Sequence, residues 1–427
     1  MKKLKNEKGS ITLFVLIAML FFIIIAVSAY TLAMSKLQAQ EDETKQIAEN
    51  YGTNLDDESL AQLYQNLTSN LDENGCFTKT STINGDNPSS ENPTIPEGFK
   101  PVNTDTSNWG DGKNTPTQED VSAGLVIEDG KGNQFVWVPV DATSLKYEKH
   151  KYEQTEVDDT QSLVQDSSNG NWSTFNYRNY NDWSTDTKNK ESVEKYGGFY
   201  VARYEAGIPE NADFFANESK TTYYTDKTNI QKNTTNYVPV SKQNAPVWNY
   251  ITQENAKKVS NKMYLESNSV TSSLIDGTAW DTVAQWVSEN NDVVNCSKWG
   301  NYLGTTFTID GLYAKHNWQN DKWEIATNYN NGSYTKTDTE YLETATGIVE
   351  KNIANNIYDL AGNVWEWTSE EGKHNTENTE NNTFAVIRGG GFDGSGATYP
   401  ITYRNGNNNA STYADVTTGF RVVLYLK

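Results

Sequence analysis

The end of the chain limits its fold more than any other part. Asn356-Ile-Tyr-Asp-Leu-Ala-Gly-Asn-Val-Trp-Glu-Trp367 is followed by Ile387-Arg-Gly-Gly-Gly391 and then by Gly419-Phe-Arg-Val-Val423. Val364-Trp365-Glu366-Trp367 alternates, so a strand there sends both tryptophans to one face and Glu366 to the other. Tryptophans on one strand face usually make core, and a glycine run marks backbone that packs closely or takes a positive φ. Trp365, Trp367, Arg388, Gly389, Gly390, Gly419, Phe420 and Arg421 are therefore assigned to structure. A phosphate loop at Arg388 to Gly391 is a weak reading, because the Gly-Lys-Ser/Thr ending and a following helix are missing.

Size and charge narrow what such a chain can do. Its 427 residues suffice for one large domain with appendages. A net charge of -21 offers no basic stripe for phosphates, so nucleic acid is not an expected partner. Acidity this strong implies a solvated surface, or one that meets cations or basic partners. Cys76 and Cys296 are too few for a disulfide scaffold and too distant for a CxxC pair. They either pair with each other in an oxidising compartment or remain buried thiols.

Lys2, Lys3, Lys5 and Lys8 precede an uncharged, mostly apolar run from Ser10 to Ser35. At about 1.5 Å per residue that run crosses the roughly 30 Å hydrocarbon core. The expected layout is a basic leader over 1–9, a transmembrane anchor helix over 10–35, a stalk helix over 36–72, a polar linker over 73–95 and a compact domain over 96–427. Ile47, Leu60, Leu63 and Leu67 carry the stalk's apolar spacing. The polar composition from Thr68 to Thr117 reads as a linker or an irregular collar. The leader ending in Gly9 resembles a type IV prepilin-like leader, although Phe14 stands where that family has glutamate. The expected location is the cell membrane, single-pass, with the C-terminal domain outside and pilus subunits as a further partner class.

Within the domain, Gly124-Leu-Val-Ile127 and Phe135-Val-Trp-Val138 flank Asp129-Gly-Lys-Gly132, which predicts a hairpin. Thr155 to Lys190 reads as polar loop. Thr252 can cap a helix with Ala256, Val259 and Met263 on one side, and Thr278 another with Ala279, Val283, Trp286 and Val287 on one side. From Cys296 onward short strands alternate with Asn and Gly tracts. Helices first and loop-rich strands after give an α+β layout.

The order of these segments, with Gln134-Phe-Val-Trp-Val-Pro-Val140, Gly197-Gly-Phe-Tyr-Val-Ala-Arg-Tyr-Glu205 and Ala245-Pro-Val-Trp248, resembles the formylglycine-generating, sulfatase-modifying-factor family. That resemblance implies a C-type-lectin-like fold with mixed short strands, two helices and long loops. It also implies a Ca²⁺ on Asp359, the backbone oxygens of Gly362 and Val364, and Glu366, chemistry that suits a hard cation. The alternative for Glu366 is a salt bridge to Arg388 or Arg421. The oxidase members carry a copper-holding cysteine pair near the end of the domain, and no cysteine follows Cys296. The iron-dependent branch needs clustered histidines, whereas His150, His316 and His374 are isolated. Neither copper nor iron is expected.

Between the Gly-rich turn and the final strand lies a segment rich in Tyr, Asn, Ser, Thr, Asp and Gly, the palette of adaptable recognition loops. Phe392, Asp393, Ser395, Tyr399, Tyr403, Asn405, Asn407, Asn408, Asn409, Tyr413 and Asp415 are its candidate ligand-binding residues. The segment resembles the variable region of diversity-generating retroelement targets, which end in the same Gly-Phe-Arg strand; a loop that merely closes the domain is the plainer alternative. The expected function is non-catalytic: a membrane-anchored, adhesin-like or minor-pilin-like protein that binds a protein or glycan outside the cell. The alternatives are a divergent oxidase, which needs copper or iron, and a structural pilus subunit.

Overall fold

The computed structural model describes residues 72–427 except 73, 84–86, 103–117, 142, 150–155, 159–160, 166–171, 178–186, 211, 213–232, 320–321, 326–329, 375–382 and 409–410. Asp72–Lys427 forms one compact unit. The leader, the apolar run from Ser10 to Ser35 and the stalk up to residue 71 lie outside the described residues. Among the described residues, no helix is long and apolar enough to cross a membrane.

The core is built on a six-stranded antiparallel sheet. Its strands are β1 (Phe99–Pro101), β2 (Val126–Asp129), β3 (Gln134–Pro139), β4 (Gly198–Ala202), β5 (Val270–Leu274) and, from the C-terminus, Val422–Leu426. The spatial order is β5, the C-terminal strand, β4, β3, β2, β1. The sequences of β4 and of the C-terminal strand are almost wholly apolar, and every residue in both is buried. The hairpin expected between β2 and β3 is present, with Val126 opposite Val136 and Ile127 opposite Phe135. Its turn closes on Asp129, whose Oδ1 accepts the backbone N–H groups of Lys131 at 2.9 Å and Asn133 at 2.8 Å.

A second sheet carries the signature segments. β6 (Trp365–His374) pairs antiparallel with β7 (Thr383–Arg388) and parallel with β8 (Thr418–Phe420), and the C-terminal strand β9 (Val422–Leu426) then crosses into the first sheet. The segment expected to be polar loop contributes three strands here, Glu156–Asp158, Gln161–Gln165 and Trp172–Tyr177. The last of them pairs with the far end of β6. The first two pair with their chain neighbours and only the last reaches a distant strand; none shows an apolar alternation, which is why the local sequence does not announce them.

Four helices lie among the described residues: α1 (Gln118–Gly124), α2 (Thr187–Tyr196), α3 (Gln253–Lys262) and α4 (Gly277–Val287). Thr252 caps α3 as expected, accepting from Asn255 N at 3.4 Å. The cap of α4 is Asp276, two residues before Thr278; its Oδ1 accepts Ala279 N at 2.7 Å. A carboxylate at the positive end of the helix outcompetes a hydroxyl, and its Oδ2 is held by the hydroxyls of Tyr147 at 2.9 Å and Tyr425 at 2.7 Å. The expected single apolar stripe is also too narrow for α4, since every residue except Gln285 is buried.

Residues ahead of β1 lie against the domain as a collar. Ser81–Thr82 pairs with Thr94–Ile95, Cys76 is buried, and Trp137 Nε1 donates to Ser90 O at 3.0 Å.

Candidate functional site

The turn before β6 runs through residues that tolerate left-handed backbone. Asn355, Asn356, Asp359, Gly362 and Asn363 have φ of 46°, 65°, 59°, 75° and 63°. Turned inward, Asn363 ties four segments together. Its Oδ1 accepts Asn301 Nδ2 at 3.0 Å and Thr344 N at 2.9 Å, and its Nδ2 donates to Glu205 Oε2 at 2.6 Å and Thr344 O at 3.2 Å.

Beneath the turn sits a buried ionic site. Arg421 donates through Nε to both oxygens of Glu366, at 3.1 and 2.9 Å, and through Nη2 to Oε1 at 2.5 Å. Its Nη1 reaches Ala202 O at 3.0 Å and Nη2 also reaches Tyr358 O at 2.9 Å. Asp359 accepts Gly347 N at 2.6 Å and Asn352 Nδ2 at 3.1 Å. Glu205, which the sequence did not mark as part of a site, accepts Val364 N at 3.2 Å in addition to Asn363. Burial, then the charges of Asp359 and Glu366, pushes the Glu205 carboxyl well above the usual range. Burial also raises Asp359 to about 7. The one guanidinium is bonded to Glu366, while burial works against ionisation of Glu205 and Asp359 beside it.

The four residues expected to hold calcium lie in one turn and strand, but their donors do not fit that ion as placed. Both Glu366 oxygens face Arg421, and both Asp359 oxygens are taken by protein N–H groups. A calcium ion would have to displace the guanidinium that already neutralises Glu366. Among the described residues, no group of three or more His, Cys, Asp or Glu side chains is arranged to hold a metal.

Above this site the terminal segment is strapped to the frame by buried side chains. Arg388 Nε donates to Tyr403 O at 3.0 Å, and its Nη2 donates to Thr402 O at 3.2 Å and Asp281 Oδ1 at 2.9 Å. Arg404 pairs with the other oxygen of Asp281. Trp280 Nε1 donates to Ile401 O at 2.8 Å, and the Tyr302 hydroxyl to Gly389 O at 2.6 Å. Trp365 packs on Tyr399 and Tyr403 at centroid distances of 5.3 and 6.1 Å, and Trp367 on Tyr413 at 5.8 Å. Both tryptophans therefore face the terminal segment while Glu366 faces Arg421, as the alternation requires.

The candidate ligand-binding residues divide accordingly. Phe392 and Tyr403 are 0% and 2% exposed and belong to the core, a correction to their assignment as ligand contacts. Large aromatic rings in a polar loop anchor it from below. Asp393, Ser395, Tyr399, Asn405, Tyr413 and Asp415 are half-buried and reach the surface. The backbone of Asn405–Asn408 pairs with β7, while the side chains of Asn407 and Asn408 and the whole of Asn409 lie outside the described residues.

The two cysteines are unpaired and buried. Burial, with a smaller effect of Asp72, raises the Cys76 thiol to about 11, and burial raises Cys296 to about 12. Such thiols are poor nucleophiles at neutral pH. A concavity of about 1080 Å³ opens between the Asp129–Asn133 turn and residues 236–246, and none of the candidate residues lines it.

Residues 174–426 match the family described as Sulfatase-modifying factor enzyme 1-like domain. Among solved structures the chain is similar to the crystal structure of CarF, at 10% identity over 54% of this chain and 87% of that one, with a TM-score of 0.29. It is also similar to Treponema denticola variable protein 1, at 12% identity over 68% of this chain and 95% of that one, with a TM-score of 0.29. No curated protein matches.

Proposed function

The chain belongs to the sulfatase-modifying factor enzyme 1-like domain family, and from that premise we propose that it is a recognition protein, not an enzyme. Its head takes a C-type-lectin-like form and binds a protein or glycan outside the cell through the surface of residues 392–415. The apolar run from Ser10 to Ser35 tethers it to the membrane.

One observation carries this reading. The stretch from Arg388 to Arg421, where the oxidase members keep their reactive pair, holds no thiol and instead presents Asp393, Ser395, Tyr399, Asn405, Tyr413 and Asp415 at the surface. Beneath them Arg388, Trp280 and Tyr302 fix the backbone, so the surface side chains stand on a rigid support, which lowers the entropy lost on binding. The two thiols elsewhere are buried and stay protonated.

The test is display of the purified chain against protein, glycan and whole-cell arrays, with metal analysis of the same preparation. Saturable capture that is lost when Tyr399 and Tyr413 are replaced by alanine is the expected result. Silence across all arrays, or stoichiometric copper or iron with oxygen consumption, would overturn the proposal.

A further inference from the structure

Two carboxylates at this end of the domain keep a buried oxygen without a hydrogen-bond partner, Glu370 and Asp393, and Glu370 has Lys149 and Arg388 beside it. Glu205, Asp359, Glu366 and Asp281 all accept hydrogen bonds from protein donors. By contrast, Asp393 Oδ1 is buried and has no hydrogen-bond partner. Leaving a buried carboxylate oxygen unbonded is costly, and such an atom calls for a donor the chain does not supply.

The surroundings say what kind of donor. Gly391 is not among the positive-φ glycines, so its backbone does not require glycine. A methyl group there would lie 2.7 Å from Asp393 Oδ1 and 3.0 Å from Trp365 Cδ1, so glycine is what lets the carboxylate draw close to the indole edge. Gly394 plays the same part toward Tyr399, where a methyl would lie 2.8 Å from Cδ2. Trp365 and Tyr399 meet edge to face at 5.3 Å, and Tyr399 reaches the surface. Among the described residues, the charged and titratable groups facing Asp393 are Asp415, Tyr399 and Tyr413. No lysine or arginine is among them, and Asp415 spends its Oδ1 on the N–H and hydroxyl of Thr417, both at 2.9 Å. A carboxylate oxygen without a partner and with no cation beside it suits a positively charged donor, which gains from the charge. The chain's net charge of -21 draws the same class of ligand from a distance.

We propose that Asp393, Trp365 and Tyr399 form a subsite for a primary ammonium group, such as a lysine side chain on the domain's ligand. This rests on residues 392–415 being a recognition surface and names the chemistry that surface selects.

The experiment titrates n-butylammonium into the full purified chain and follows tryptophan and tyrosine fluorescence, with acetate as the control. Saturation in the millimolar range is expected, falling at least tenfold in Asp393→Asn and in the independent variant Tyr399→Ala. Burial pushes the Asp393 carboxyl up to about 6. The ammonium stays charged and both tyrosines, raised further by burial, stay neutral between pH 5 and 7. Ionised Asp393 grows roughly tenfold over that interval, so affinity rises about tenfold in the native chain and stays flat in Asp393→Asn. Absence of saturation, or equal affinity in Asp393→Asn, overturns the subsite. Array capture that persists while the amine fails would sink this inference alone; silent arrays would remove the recognition surface on which it stands.

Discussion

Arg421 is the one guanidinium that has to serve Glu366, and all of its nitrogens are used, on that carboxylate and on the carbonyls of Ala202 and Tyr358. Because both charges are fully buried, removing one partner leaves the other uncompensated, at about 3–5 kcal/mol. Arg421→Met is expected to lose that much stability in urea unfolding, and the double variant Arg421→Met with Glu366→Leu to regain most of it. A double variant no better than the single one would mean that the carbonyl bonds, not the ion pair, make Arg421 necessary. The sequence carried this site only in part. Alternation placed Glu366 opposite the two tryptophans, and the arginine before the last strand was one of its two named partners. Glu205 and Asn301 were not legible as members, because nothing local distinguishes a buried acid or amide at the end of a strand or turn. Only the positive-φ turn that brings Asn363 between them reveals their role.

At the scale of elements, the caps of α3 and α4 invite comparison. The Thr252 hydroxyl makes the cap bond and donates to Asn233 Oδ1 at 3.1 Å, an acceptor that keeps Thr252 N and Asn255 Nδ2 without it, so Thr252→Ala is expected to cost about 1 kcal/mol. Asp276→Ala also removes the acceptor shared by two buried tyrosine hydroxyls, which then have only each other, so one proton is left without an acceptor at a further 1–3 kcal/mol or so. Chemical unfolding should therefore rank Asp276→Ala well below Thr252→Ala, and the reverse order would contradict the assignment of Asp276 as the cap. Thr252 was readable because an apolar stripe follows it directly. Asp276 was not, since α4 is buried nearly all round and its first apolar residue no longer marks its start. The same distinction separates β3 and β9, whose apolar runs announce them, from the strands within residues 156–177. Of those, only Trp172–Tyr177 has a partner nearly two hundred residues further on; the other two pair with their chain neighbours and carry no apolar alternation to mark them.

For the whole molecule, the decisive fact is where β9 lies. β9 lies between β5 and β4 inside the first sheet, directly after the Gly419-Phe-Arg421 link to the second, and Tyr425 joins Tyr147 and Asp276 through its hydroxyl. The two sheets are thus joined through β8 and β9, and β4 and β5 have no direct ladder to each other without β9. Such long-range closure makes folding wait for β9 and leaves the facing edges of β4 and β5 unpaired until it docks. A chain cut after Arg421 is expected to lack a sharp thermal transition and to enter the insoluble fraction. Removing only Lys427, which is exposed, should leave the transition temperature within a few degrees of the native value. A sharp, near-native transition in the shorter chain would show that the ion pair at Arg421 closes the domain without β9. β9 would then be a passive filler between β4 and β5, and the site above it would owe its rigidity to Arg388, Trp280 and Tyr302.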